Sequence, residues 1–268
     1  MTRIHIANLS GGQDSTAMVV RMLELGERLD YIVFCNTGVE FDAMYEYLNK
    51  LNNYLKWKFN REITFLDGDT YYDVTKRIKT EKSKYAGKPK GVTMSVGMDE
   101  CTRDLKIKRA EVFARKAANK GEIVFYVGYT FREVLNGRKI TSEKKKITYD
   151  YPLYRWEWNE PQVQSYLKEK TIYNPLYNHF TRTGCFCCPK QSEKDWFNLW
   201  KHYNHHFEQA KKIEEWCEAN NAIQKYFRYT EKEGSIPLRV LEQRFILKDK
   251  QTTFDLDENQ EQISCMCK

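Results

Sequence analysis

The sequence predicts an α/β chain: a doubly wound, mostly parallel sheet carrying a helical C-terminal extension. Three observations carry that expectation. Short apolar runs alternate with segments whose apolar residues recur at helical spacing, which calls for crossover connections between parallel strands. Two glycines, Gly11 and Gly12, separate the first apolar run from the first helical segment. Beyond Pro161 the apolar pattern is helical.

The elements follow in order. Residues 3–9 (RIHIANL) alternate loosely as a strand, and 15–25 carry Met18, Val19, Met22 and Leu23 at helical spacing. The unit repeats: 31–35 (YIVFC) reads as a buried strand, and 43–57 as a helix with Tyr47, Leu48, Leu51 and Leu55 on one face. A third strand is predicted over 62–66, a short helix over 71–78, a longer basic helix over 105–118 and a fourth strand over 123–127. Residues 79–97 lack an apolar period and hold several lysines and three glycines, the composition of a mobile loop. Helices are then predicted over 162–170, 193–202 and 205–219, the last with Phe207, Ala210, Ile213 and Trp216 on one side, while the polar stretch 255–268 reads as loosely held. The expected organisation is an α/β domain over 1–190 and a helical extension with a flexible tail over 191–268.

Composition narrows the class. With 268 residues, 41% of them hydrophobic, the chain can bury a sizeable core. No window approaches the ~20 apolar residues of a membrane span, and residues 1–6 lack the apolar core of a secretory signal, so no membrane partner and a cytoplasmic location are expected. Eight cysteines in a reducing compartment argue against a disulfide framework, and the grouping of Cys185, Cys187 and Cys188 points to metal or redox chemistry. The net charge of +7 suits a polyanionic partner or substrate.

The glycine pair raises the first functional expectation. Glycine lets a strand turn sharply into a helix and lets a ligand approach the main chain, whose amides then join the positive end of the helix dipole in a site for phosphate oxygens. The turn follows the first strand, where ligands of open parallel sheets bind. It is not the common G-x-x-x-x-G-K-[ST] nucleotide loop, because Asp14 stands before the hydroxyl residue Ser15.

The arrangement S-G-G-x-D-S at 10–15 resembles the pyrophosphate loop of the PP-loop (adenine nucleotide alpha hydrolase) superfamily, and within it the phosphoadenylyl-sulfate (PAPS) reductase family. Four further stretches carry the resemblance, which spans 4–189: V-F-C-N-T-G-V-E-F (33–41), similar to V-F-x-D-T-G-x-E-F; C-T-R-D-L-K-I (101–107), similar to C-T-x-x-L-K-I; G-Y-T-F-R-E (128–133), a looser match to G-x-R-x-x-E/D-S; and N-P-L-Y (174–177) with R-T-G-C-F-C-C-P (182–189), similar to N-P-L-Y…R-x-G-C-x-x-C-P. The resemblance implies an adenine nucleotide, ATP or phosphoadenylyl sulfate, held by Ser10, Gly11, Gly12, Gln13, Asp14 and Ser15, with Thr37, Gly38, Lys106 and Arg132 completing the pocket. Lys106 and Arg132 would serve the reaction, and Asp14 would orient the turn or a Mg2+ ion if ATP is hydrolysed. Cys265 or Cys267 would be the attacking thiolate, and a thioredoxin-type protein the reductant.

Two positions depart from the family pattern: Asn36 replaces the aspartate of D-T-G, and Gln13 stands where a lysine is often found. The tail cysteines also lack the surrounding E-C-G-x-H. A second reading is therefore an ATP pyrophosphatase that adenylylates and thiolates or otherwise modifies tRNA or DNA, and a third is a nucleotide-binding protein without turnover.

Cys185 and Cys188 have the C-x-x-C spacing that lets two thiolates converge on one metal, with Cys187 as spare ligand and Cys101 as a third. Such a thiolate set suits zinc or a [4Fe-4S] cluster, and the resemblance favours iron and sulfur. Lys76, Lys79, Lys82, Lys84, Lys88 and Lys90 crowd one loop, and Arg138, Lys139, Lys144, Lys145 and Lys146 the next. They would clamp a 3′-phosphate, steer tRNA or DNA, or form a solvated surface. His202, His205 and His206 read as a solvated helix face, His5 as a hydrogen-bonded core residue, and Cys35 and Cys217 as core. Tyr151, Tyr154, Trp156 and Trp158 read as packing residues rather than a base-stacking platform.

Overall fold

The computed structural model describes residues 3–81, 83–92, 100–144 and 146–250; Lys82, Lys145, Cys265 and Cys267, with the rest of 255–268, lie outside the described residues. The chain divides into two compact units, Met1–Val74 with Ser95–Cys185 and Thr75–Met94 with Phe186–Lys268.

The first unit is built on one sheet. Its strands are β1 (Arg3–Asn8), β2 (Tyr31–Cys35), β3 (Ile63–Leu66), β4 (Glu122–Tyr126), β5 (Glu143–Lys144) and β6 (Ile147–Asp150), in the order β3-β2-β1-β4-β6-β5. All neighbours are parallel except β5 on β6. Between and around the strands run α1 (Gln13–Glu24), α2 (Asp42–Phe59), α3 (Tyr71–Lys76), a π-helical turn (Thr102–Ile107) leading into α4 (Lys108–Ala118), α5 (Phe131–Leu135), α6 (Pro152–Arg155) and α7 (Glu160–Glu169). This is the α/β architecture that the alternating pattern predicts.

Strand alternation assigns the faces. Ile4 and Ile6 of β1, Val33 of β2, Ile123 and Phe125 of β4 and Ile147 of β6 form one apolar face, covered by Ala110, Ala114 and Ala118 of α4. The small alanines let the α4 backbone lie close to the sheet. The intervening residues, including the buried Ala7, Ile32, Phe34 and Val124, point to the opposite face. His5 is half-buried there, its Nδ1 2.8 Å from the Tyr126 hydroxyl, and burial lowers its pKa. The strand order runs β1, β2, β3 to one side and β4, β6 to the other, so the sheet reverses between β1 and β4. In open α/β sheets such a reversal is where ligands bind, beyond the carboxyl ends of the strands.

Two features of this unit escape the sequence pattern. The stretch read as a lysine-rich loop contains β5 and leads into β6, which extends the parallel sheet past β4. Ile147 alone among the β6 residues is fully buried, so the segment shows no apolar run. The helical chain also starts before 105, because the π-helical turn carries polar residues on a wider spacing than 3.6. The aromatic run packs internally, with Tyr129 stacked on Tyr151 and Phe131 on Tyr154.

The second unit contains α8 (Glu193–His202), α9 (Asn204–Ala219), a hairpin of β7 (Arg228–Thr230) and β8 (Gly234–Ile236), and a helical segment at 238–250. The described part of the lysine-rich stretch after 76 belongs here as a closed turn: Ile78 bridges to Pro89, and Val92 N donates to Gln224 O at 3.0 Å. The reading of His202, His205 and His206 as one solvated helix face does not hold. Helix α8 stops at His202 because Tyr203 takes a non-helical conformation (φ −136°, ψ 48°), and α9 starts afresh at Asn204. His206 is buried and stacks on Phe186 at 4.6 Å between ring centroids.

Glu214 of α9 organises this unit. Its two carboxylate oxygens accept from Phe227 N (2.8 Å) and Leu238 N (2.7 Å), joining the helix to the start of β7 and to the 238–250 segment. Burial pushes its pKa up to about 7, outweighing the two amides. Because that value lies above the ordinary 4.5, the group's contribution to stability is complete below pH 4.5 and is lost as pH rises through about 7. Glu214→Ala leaves two buried amides without acceptors and should cost about 2–4 kcal/mol at pH 6, read from urea unfolding. No helix among the described residues is long and apolar enough to cross a membrane.

Candidate functional site

The glycine loop lies at the reversal of the sheet. After β1 the chain passes Ser10, Gly11 and Gly12 and enters α1 at Gln13. Gly11 has φ +75°, and a Cβ there would run into Met44 Sδ of α2, so both conformation and space require glycine. The loop is closed from within. Ser10 N donates to Ser15 Oγ (3.0 Å), while Ser15 Oγ and Thr16 Oγ1 donate to Gly12 O (3.1 and 2.9 Å). Ser15 thus shapes the loop, and Ser10, with its Oγ 3.0 Å from Ser15 Oγ, is the exposed member of the pair.

Residues far along the chain fix the loop from outside. The fully buried Asn174 donates from Nδ2 to Gly11 O at 2.8 Å, and the Tyr177 hydroxyl accepts from Gln13 N at 3.0 Å. On the other side Gly128, just past β4, is packed so closely that a Cβ would fall 2.9–3.0 Å from backbone atoms of Asp14 and Ser15. The turn after β4 therefore touches the first turn of α1. It brings acidic neighbours: Thr130 and Glu133 form a capping box at the start of α5, and Thr130 Oγ1 donates to Glu160 Oε1 at 3.1 Å. Burial, then the charges of Glu133 and Glu160, raise the Asp14 pKa to about 7. Asp14 Oδ1 and Gln13 Oε1 are buried without a hydrogen-bond partner in the structure.

A second group of residues surrounds the end of β2. Asn36 Oδ1 accepts from Gly38 N (3.0 Å) and from the Tyr45 hydroxyl (2.7 Å), and its Nδ2 donates to Asp67 Oδ1 (2.9 Å). An aspartate in this position would set two carboxylates against each other, so the amide suits its surroundings. Thr37 donates to the buried Glu40 at 2.9 Å, and Lys106 Nζ stands 3.8 Å from the same carboxylate. Cys185 pairs with Glu40 in an isolated antiparallel bridge, its Sγ 3.3 Å from Thr37 Oγ1 and 3.8 Å from Glu40 Oε1. The Arg109 guanidinium ties together the carbonyls of Asn36, Leu66 and Asp69 at the ends of β2 and β3.

The two groups are joined by the segment 183–185: Thr183 Oγ1 reaches the Tyr177 hydroxyl at 3.3 Å beside the loop, and Cys185 reaches Thr37. Sequence reasoning assigned no role to Asn174, Tyr177, Thr183, Glu40 or Arg109. All but Arg109 lie inside stretches quoted for the family resemblance, which was the available signal. Arg132 is exposed in the first turn of α5, where its backbone N donates to Asn159 Oδ1. Cys101 caps the π-helical turn in the first unit, whereas Cys187 and Cys188 belong to the second. None of the six cysteines among the described residues is in a disulfide. Cys217 is buried, as a core residue should be, and the half-buried Cys35 donates to Lys106 O at 3.5 Å.

A sequence profile described as the phosphoadenosine phosphosulfate reductase domain matches residues 4–191. The chain belongs to the phosphoadenosine phosphosulfate reductase domain family. The match takes in the glycine loop, the Asn36–Glu40 turn, the π-helical turn and the Cys185–Cys188 stretch. Similar proteins in Methanocaldococcus jannaschii include the uncharacterized protein MJ0066, 26% identical over 189 residues and 67% of this chain, and the uncharacterized protein MJ0973, 22% identical over 206 residues and 72% of this chain. The chain spans 35% and 46% of the lengths of those two proteins. Among solved structures, the PAPS reductase of Candida auris in its phosphate complex aligns with a TM-score of 0.44 at 17% identity, over 68% of this chain and 80% of that one. The U34-tRNA thiolase NcsA of Methanococcus maripaludis with its [4Fe-4S] cluster aligns with a TM-score of 0.40 at 15% identity, over 81% of this chain and 74% of that one.

Two outcomes follow from the electrostatics of this family member. The Asp14 value of about 7 lies above the ordinary 3.8, so its contribution to stability is present below pH 3.8 and lost as pH rises through 7. Asp14→Asn should therefore raise the thermal midpoint, with a larger gain at pH 8 than at pH 5. Asn36→Asp should cost about 1 kcal/mol in urea unfolding at pH 7, and a second change, Asp67→Asn, should restore the loss.

Proposed function

We propose that this chain binds an adenine nucleotide with the anionic end of the ligand at residues 10–15, and that it acts on that end as an enzyme of sulfur metabolism. The observation that carries this reading is the glycine loop leading into the amino end of α1 at the sheet reversal of a chain in this family. The α1 dipole and the loop amides favour negative charge there, and Thr37, Gly38, Lys106 and Arg132 supply the remaining contacts.

The leading reaction is thiol-dependent reduction of phosphoadenylyl sulfate. A cysteine thiolate attacks the sulfur, the bond from sulfur to the bridging oxygen breaks, and adenosine 3′,5′-bisphosphate leaves. A second thiol then attacks the resulting S-sulfocysteine, forming a disulfide and releasing sulfite, and a thioredoxin-type dithiol returns the enzyme to its reduced form. Cys265 and Cys267, outside the described residues, are the attacking candidates.

One observation favours a second reading, an ATP-dependent modification of tRNA or DNA. Cys185 lies in the first unit beside Thr37 and Glu40, the carboxylate that Lys106 also faces, so a sulfur-bearing or metal-bound cysteine would share one side-chain group with two of the residues proposed to contact the nucleotide. Cys185 and Cys188 keep the C-x-x-C spacing and their thiols lie outside any disulfide, the chemistry that zinc or iron–sulfur ligation asks of a donor. A metal or cluster bound by such thiolates would supply sulfur or electron chemistry.

Anaerobic purification with iron, sulfide and zinc analysis, followed by incubation with each nucleotide, separates these readings. Sulfite release from phosphoadenylyl sulfate with a dithiol, lost on replacing both tail cysteines, supports the first. Pyrophosphate release from ATP with salt-sensitive retention of tRNA or DNA supports the second. Absence of binding to either nucleotide overturns both.

A further inference from the structure

The loop has a glutamine where a lysine is often found, so the positive charge that would meet an anion must be replaced by something else. The surroundings of Gly12 show what is available. A Cβ on Gly12 would lie 3.2 Å from Thr183 Oγ1, 3.3 Å from the Tyr177 hydroxyl and 3.4 Å from Ser10 Oγ. Three hydroxyl oxygens from three separate segments thus converge on the one face of the loop that has no side chain of its own. Of these, the Tyr177 oxygen already receives two hydrogen bonds, from Gln13 N (3.0 Å) and from Thr183 Oγ1 (3.3 Å).

An oxygen that accepts twice has its own O–H left to donate. Donation into the oxygen also polarises the O–H, which strengthens it as a donor toward an anion. Burial raises the phenol pKa, so the proton stays in place at neutral pH. The 3-10 turn Pro175–Asn178 carries the ring, and Asn174, which starts that turn, holds Gly11 O. Loop and phenol are therefore set by the same short segment.

Resting on the nucleotide reading above, we propose that Tyr177 donates its hydroxyl to a phosphoryl or sulfuryl oxygen of the bound adenine nucleotide, with Thr183 orienting it, so that the anion is held by neutral hydroxyl and amide donors in place of a lysine. Tyr177 is then a ligand-binding residue and Thr183 a positioning residue.

Isothermal titration of the full chain with ATP, phosphoadenylyl sulfate and adenosine tests this on three proteins: the unsubstituted chain, Tyr177→Phe and Thr183→Val. A hydrogen bond to a charged group corresponds to a change of about tenfold or more in affinity. Tyr177→Phe, which keeps the ring, should weaken ATP or phosphoadenylyl sulfate by about tenfold and leave adenosine within about twofold. Thr183→Val should weaken the same anionic ligands by a smaller factor; Tyr177→Phe, which leaves Gln13 N without its acceptor, should also lower the ligand-free thermal midpoint, so the comparison with adenosine rather than the midpoint decides the assignment. Equal affinity of the unsubstituted chain and Tyr177→Phe for the anionic nucleotides overturns the proposal. So does an equal loss for adenosine, which would mark a purely structural phenol. If the unsubstituted chain binds neither anionic nucleotide, the nucleotide reading itself fails, an outcome distinct from a failure of the Tyr177 assignment.

Discussion

The close approach of the turn after β4 to the start of α1 governs the first unit. Gly128 leaves no room for a side chain against the Asp14–Ser15 backbone, and this contact forms where the strand order reverses. It sets the amino end of α1, with its partial positive charge, at the carboxyl ends of the strands where the sheet reverses. It also places Glu133 and Glu160 near Asp14, so the same contact that presents the loop amides raises the Asp14 pKa. The electrostatics of the site are thus a product of its packing.

Much of this frame was legible in the chain. Residues 15–25 and 43–57 repeat at helical spacing, and the helices they form bury the residues that the pattern selects, among them Met18, Val19, Leu48 and Leu51. Strand β6 was not legible, since a strand near a sheet edge needs only one deeply buried side chain and Ile147 alone provides it. The helices on either side of Tyr203 were legible, read over 193–202 and 205–219 and formed over 193–202 and 204–219; the burial of His206 was not, because it depends on packing against the distant Phe186. The loop itself could be read from its glycines. What holds it could not, because Asn174 and Tyr177 meet it from more than 160 positions away, and long-range hydrogen bonds leave no periodic trace.

The departures from the family pattern have a common physical character. Asn36 replaces an acid with an amide whose donor finds Asp67 and whose acceptor finds Gly38 and Tyr45. Gln13 replaces a cation, and its backbone amide is bonded to a phenol. At both positions a charged group has given way to a neutral amide; the hydrogen bonds of Asn36 are met locally, whereas Gln13 Oε1 is buried without a partner among the described residues. At Asn36 the geometry is thus set by direction rather than by charge, since hydrogen bonds lose strength steeply with misalignment whereas ion pairs do not.

The short strap 183–185 carries a mechanical implication. Its first residue leans on the phenol beside the glycine loop, and its last lies against the Thr37–Glu40 turn. Successive Cα atoms are held about 3.8 Å apart by covalent geometry, so three residues offer almost no slack. With Gly184 alone between them, a shift of Thr183 by an incoming molecule would have one residue in which to dissipate before it reached the sulfur atom, which couples the thiol's surroundings to what occupies the neighbouring bend.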